Sequence, residues 1–140
     1  MMADKRLAGP KDSFRILVVE DDVINQKVIK AFLLKMGLEA DLAHDGREAL
    51  NKVLSSTYDI IFMDVQMPIM DGIEATRSIR KLDLSVQPYI IALTANAFHS
   101  NRKACLQAGM NDFLSKPFSM DDLRGAISCL GAQQLAYSAG

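Results

Sequence analysis

At 140 residues the chain has the length of one domain, long enough to bury a single core without disulfide or metal staples. Apolar residues at 49% and charged residues at 24% fit a soluble globular protein, and no apolar run approaches the roughly 18 residues of a membrane span. Sixteen basic against seventeen acidic residues leave a formal charge of −1, and aromatics are 6% with no Trp; a basic nucleic-acid surface and a stacking platform for single strands are both excluded.

Residues 1–13 are polar, carry Gly9-Pro10 and have no apolar stretch after Met1-Met2-Ala3-Asp4-Lys5-Arg6. They read as a loose arm and not a secretory signal, and the expected location is cytoplasmic. A first strand is predicted over Phe14–Val19. A helix follows, with an apolar stripe of Ile24, Val28, Ala31 and Phe32 and a stop at Gly37. The second strand is Leu38–Ala43, and Asp45 with Glu48 marks the start of the next helix. The third strand is Tyr58–Met63, and Asp71 with Glu74 marks the third helix. The fourth strand is Tyr89–Leu93, followed by a poorly amphipathic helix over Phe98–Ala108. The fifth strand, weaker, is Asp112–Ser115. Ser119 with Asp122 opens a last helix whose stripe is Leu123, Ala126, Ile127 and Leu130, closed by Gly131. Residues 14–130 form the domain and 131–140 a tail.

Three of the five apolar runs are almost continuous hydrophobics, as strands buried on both faces require. Strand and helix alternate five times, which predicts an α/β fold, a parallel sheet with helices on both sides. Cys105 and Cys129 fit neither a disulfide framework nor a zinc site and read as small buried apolar residues. His44 and His99 read as surface residues, and Met63, Met67 and Met70 as packing.

In an open parallel sheet, ligands bind beyond the carboxyl ends of the strands. Here the strands are followed by Glu20-Asp21-Asp22, by Asp64, by Thr94 and by Lys116-Pro117. Crowded carboxylates repel one another, and a hard divalent cation such as Mg²⁺ relieves that repulsion through oxygen ligands. A lysine and a hydroxyl alongside are suited to phosphate oxygens. The set reads as a site that handles a phosphoryl group on a carboxylate nucleophile. Asp22 reads as a solvated acid at a helix N-terminus.

Glu20-Asp21, Asp64-Val-Gln-Met-Pro-Ile-Met-Asp-Gly72, Ala92-Leu-Thr-Ala95 and Ser115-Lys-Pro117 together resemble the receiver domain of two-component response regulators. The likeness covers roughly residues 14–130. Asn25-Gln26, Gln66-Met67-Pro68 and Thr94-Ala95-Asn96-Ala97 are similar in particular to receivers of hybrid sensor histidine kinases. The resemblance implies a (βα)5 flavodoxin-like doubly wound sheet in strand order 2-1-3-4-5. It implies Asp64 as the acceptor of a phosphoryl group from a phosphohistidine, in a signalling phosphoacceptor and not a turnover enzyme. It implies Mg²⁺ held by Asp21, Asp64 and the backbone carbonyl of Gln66, with Glu20 acting through a metal-bound water. Thr94 and Lys116 would contact the phosphoryl oxygens, and Phe113 occupies the switch-aromatic position. A cis Lys116-Pro117 bond is implied, as are a histidine kinase or histidine phosphotransfer protein as partner and dimer contacts through the fourth helix, fifth strand and fifth helix.

The donor must reach Asp64, so Val23, Ile24, Lys27 and Phe118 are the expected docking residues. Phe113 lacks a hydroxyl, so its switching is expected to rest on packing alone. Three other readings fit less well. A flavin module of this topology needs a Gly- and hydroxyl-rich phosphate loop where Glu20-Asp21-Asp22 stands. A haloacid-dehalogenase-like phosphatase needs a second Asp where Gln66 stands. A helical phosphotransfer module is opposed by the strand–helix alternation.

Overall fold

The computed structural model describes residues 15–67, 69–95 and 101–128. The arm 1–13, the tail 131–140, His99, Cys129, Leu130 and the start of the 98–108 helix lie outside the described residues. The elements are β1 (Ile16–Val19), α1 (Val23–Lys35), β2 (Ala40–Ala43), α2 (Gly46–Ser55), β3 (Ile60–Asp64), α3 (Gly72–Arg80), β4 (Tyr89–Thr94), α4 (Asn101–Ala108) and β5 (Asp112–Ser115). A fifth helix, α5, is described over residues 120–128. The five strands are parallel and lie in the order β2-β1-β3-β4-β5, as expected. No helix among the described residues is long and apolar enough to cross a membrane.

The Ile- and Val-rich runs explain the centre of the sheet. β1 and β3 are buried at every position, and β4 at every position but Tyr89, because helices cover both faces. Side chains alternate between two cores. Leu17, Val19, Ile61, Met63, Ile90 and Ala92 face the core that includes Ala49, Ala75 and Cys105 of α2, α3 and α4. Ile16, Val18, Ile60, Phe62, Ile91 and Leu93 face the core shared with Ile29 and Leu33 of α1 and with Leu123, Ala126 and Ile127 of α5. The edge strands β2 and β5 are only partly buried.

Helix starts follow the capping residues. The Asp45 carboxylate accepts from the Glu48 N–H at 2.9 Å, and Asp71 from the Glu74 N–H at 2.9 Å. Ser119 and Asp122 exchange reciprocal bonds of 2.9 and 3.1 Å, a capping box. α1 ends in a Schellman motif: Gly37 takes φ +80°, its N–H reaches the Leu34 carbonyl, and the Leu38 N–H reaches Leu33.

The face of α1 differs from the expected one. Its buried residues are Gln26, Ile29 and Leu33, whereas Ile24 is 71% exposed, Val28 and Ala31 are exposed and Phe32 is half-buried. Apolar residues surround much of this helix, so periodicity alone does not select a face. The core shared with Leu123, Ala126 and Ile127 of α5 selects Ile29 and Leu33. Cys105 is buried and His44 exposed, as expected; Met63 is buried, with Met67 and Met70 packed against the same core. Ile69, between them in the loop after β3, is exposed with a left-handed φ of +68°.

Two glycines of opposite character give a stability test. A Cβ at Gly72 would lie 2.2 Å from the Asp64 carbonyl oxygen, whereas one at Gly125, inside α5, meets nothing within 4 Å. Gly72→Ala is expected to cost about 1–3 kcal/mol by overpacking. Gly125→Ala is expected to gain about 0.5–1 kcal/mol by removing a helix-interior glycine. Urea unfolding midpoints of the two variants should move in opposite directions.

Candidate functional site

Parallel pairing brings the carboxyl ends of all strands to one edge, and the ladder continues past the strands into the site residues. The Glu20 N–H reaches the Ala43 carbonyl at 3.0 Å, Val65 reaches Leu93 at 3.1 Å and Lys116 reaches Thr94 at 2.8 Å. Glu20, Asp64, Thr94 and Lys116 are thereby set by the sheet itself. They line a cavity of about 280 Å³ with Asp21, Asp22, Asn25, Val65, Gln66, Leu93 and Ala95.

Carboxylate oxygens of Glu20, Asp21 and Asp64 lie within 4.8 Å of one another. Glu20 and Asp64 are almost wholly buried, at 1% and 5% exposure, while Asp21 is exposed. The Lys116 ammonium stands between the two buried acids, 3.1 Å from Glu20 Oε1 and 3.3 Å from Asp64 Oδ2. The Gln66 N–H donates to Asp64 Oδ1 at 3.2 Å. Lys116-Pro117 is cis. Asp22 is the N-cap of α1, accepting from the Ile24 and Asn25 N–H groups at 2.8 and 3.4 Å. It lines the cavity but stands outside the tight triplet.

Burial pushes the Asp64 carboxyl up to about 7, with its hydrogen bond to Glu20 and the Glu20 charge adding to the rise. Lys116 and the Gln66 N–H oppose it without cancelling it. The same contacts act on Lys116 in the other sense. Its burial disfavours the charge, but the bonds to Glu20 and Asp64 outweigh that and raise its pKa. A donor set made only of oxygens, short of cationic charge and closed by a stand-in ammonium, fits a hard divalent cation.

The structure brings Glu20, Asp21, Asp64, Gln66, Thr94 and Lys116 together. Phe113 is not among the cavity residues; it lies half-buried on β5, packed on the core beneath α4. Gln26 was given no role by the sequence. Its buried side-chain amide donates to the Glu20 backbone carbonyl at 2.6 Å and meets His44 Nδ1 at 3.3 Å. The available signal was a polar residue one turn into a mostly apolar helix, directly after the acids. A second cavity of about 320 Å³ adjoins the first, lined by Glu20, Asn25, Val28, Lys116, Pro117 and Phe118. Phe118 is half-buried, less open than expected, and forms part of this wall.

The family model for the response regulator receiver domain matches residues 16–128. The osmosensing histidine protein kinase SLN1 of Saccharomyces cerevisiae is 51% identical over 122 residues, 83% of this chain. The chain spans about a tenth of the length of that kinase and of the hybrid signal transduction histidine kinase K of Dictyostelium discoideum. Among solved structures, the receiver domain of sensor histidine kinase PA1611 from Pseudomonas aeruginosa PAO1, with a magnesium ion in its active-site cleft, is 44% identical. It superposes with a TM-score of 0.79, covering 84% of this chain and 98% of that one. The receiver domain of Ssk1 from Saccharomyces cerevisiae, co-crystallised with the histidine phosphotransfer protein Ypd1, is 35% identical with a TM-score of 0.77. The match covers 86% of this chain and 90% of that one.

The raised carboxyl has a consequence for stability. Asp64 binds its proton more tightly folded than unfolded, so its contribution is whole below about pH 4 and is lost as pH climbs toward 7. In metal-free buffer Asp64→Asn should therefore be more stable than the parent by roughly 2–4 kcal/mol at pH 8, with the gain vanishing near pH 4. Denaturant titrations at the two pH values measure it.

Proposed function

From the premise that this chain belongs to the response regulator receiver domain family, we propose that Asp64 accepts a phosphoryl group from a phosphohistidine. The observation that carries this reading is the buried Asp64 carboxylate between an acid pair and the Lys116 ammonium. One Asp64 oxygen attacks phosphorus; the phosphorus–nitrogen bond breaks, and its electron pair returns to the imidazole. Lys116, already 3.3 Å from Asp64, holds the nucleophile and is placed to take a phosphoryl oxygen. Thr94, at the end of β4, adds a hydroxyl to the cavity wall.

Glu20, Asp21, Asp64 and the Gln66 carbonyl would hold Mg²⁺. The chemistry that Mg²⁺ supplies, when bound, is neutralisation of the crowded carboxylates and of the arriving phosphoryl charge. Asp64 then needs no proton near neutral pH. The chain acts as a signalling phosphoacceptor in the cytoplasm, the receiver unit being residues 14–130. Phe113 is the aromatic that moves when the site is filled, and the face of α4, β5 and α5 is where a second copy would dock.

The donor is a histidine phosphotransfer protein or a histidine kinase. The Ssk1 receiver bound to Ypd1 supports this, because it shares the fold and 35% of the sequence. Val23 and Ile24 at 56% and 71% exposure, with exposed Lys27, lie at the start of α1 directly after the acids, and Phe118 walls the second cavity, which adjoins the site.

Two experiments test the reading. Incubation with phosphoramidate and Mg²⁺ should add one phosphoryl mass to the protein; Asp64→Asn or excess chelator should abolish it, and labelling that persists in either refutes the assignment. Ile24→Asp should slow transfer from a phosphorylated histidine phosphotransfer protein at least tenfold while leaving phosphoramidate labelling unchanged. Equal protein-to-protein rates would place the docking surface elsewhere.

A further inference from the structure

On the β4–β5 side of the sheet, Ile90 and Ala92 face the core under α3 and α4, and the alternation of side chains puts Thr94 on that same face. Phe113 is the register partner of Ala92 and packs against the same core. It therefore sits one pleat below Thr94, on the face that Ala92 shares. Over the ring lies the guanidinium of Arg102 from α4, its central carbon 4.8 Å from the ring centroid. That is the distance of a cation–π contact. Among the described residues no carboxylate pairs with Arg102. Its exposed head is engaged by the aromatic face. The sequence-based expectation that Phe113 is held by packing alone is therefore incomplete.

We propose that Arg102 is a positioning residue that holds the Phe113 ring against α4 and so sets how strongly a filled phosphoacceptor site is coupled to that surface. The inference rests on the reading of Phe113 as the moving aromatic. A ring that turns along Ala92 toward Thr94 leaves the guanidinium, so the Arg102 contact belongs to one of the two ring positions only. A ligand at Asp64 that favours the inward ring must work against it, and by linkage removal of the contact must tighten that ligand by the same factor. The contact also has a charge requirement that packing does not. Leucine at position 102 keeps an apolar stem over the ring and loses the attraction.

The test follows the Phe113 ring directly. Phenylalanine ring signals are recorded by NMR in the wild type, Arg102→Leu, Arg102→Lys, Phe113→Leu and Arg102→Leu/Phe113→Leu, each titrated with beryllofluoride in Mg²⁺ as the phosphoryl analogue. In Arg102→Leu the unliganded Phe113 signals should shift toward their liganded wild-type positions. Beryllofluoride should bind about two- to fivefold more tightly, the range set by one partly exposed cation–π contact. Arg102→Lys should fall between wild type and Arg102→Leu. Against a Phe113→Leu parent, Arg102→Leu should change affinity by less than the error. Unchanged Phe113 signals and affinity in Arg102→Leu, with the wild-type ring still moving on ligation, overturn the role of Arg102 alone. An affinity change that survives in the Phe113→Leu background overturns it as well. A wild-type ring that stays still on ligation removes the switch reading and this inference with it.

Discussion

Three carboxylates cannot stay charged within a few ångströms of one another in a largely buried pocket unless a cation stands among them, and the rest of this molecule is arranged around that constraint. Each acid taken from water disfavours its own charge, and each neighbour adds to the penalty. In this chain the compensating charge is Lys116, which comes from beyond β5 to reach Glu20 after β1 and Asp64 on β3. One ammonium thus spans four strands of the sheet. The arrangement offsets the repulsion only in part, because the Asp64 carboxyl still rises to about 7. The pocket is left short of positive charge, and that deficit is the chemical basis for its fit to a divalent cation.

A deficit of this kind needs a rigid frame. The frame here is the pair of fully buried inner strands, β1 and β3, flanked by β4, with cores on both faces and a backbone ladder that extends into Glu20, Val65 and Lys116. Function and stability pull in opposite directions at the edge, while the centre of the sheet holds both. The costly charges are confined to residues at the last ladder bonds, where their spacing is dictated by strand separation and not by flexible side chains alone.

Much of this was legible from the residues. Continuous Ile and Val runs marked the inner strands, Asp45, Asp71 and Ser119 marked helix starts, and the acids, hydroxyl and lysine after successive strands marked one edge. These signals are local, and the parallel sheet turns them into neighbours. What was illegible depended on tertiary contact. The rotation of α1 could not be read because both Ile24–Val28 and Ile29–Leu33 are apolar, and only the core shared with Leu123 and Ile127 selects the second pair. The bond of the Gln26 amide to the Glu20 carbonyl is a tertiary contact that the helix pattern does not encode. The stacking of Arg102 on Phe113 joins residues eleven apart through the α4–β5 turn, a pairing that no helical or strand period encodes.

The glycine at position 72 has a mechanical consequence. Its N–H is bonded to the Val65 carbonyl at 3.0 Å, and its missing side chain lets α3 press to within a Cβ's width of the Asp64 carbonyl. Behind Glu20, the Gln26 amide closes the backbone in the same way. On this side Asp64 is backed by a wall with no slack. On the other side lies β5, a half-buried edge strand, with α4 above it. A group added to Asp64 would thus meet stiffness toward β1, β4 and α3 and compliance only beyond β4, at β5. The sheet has a softer edge, and a bulkier, more charged group at position 64 would deliver its load toward it.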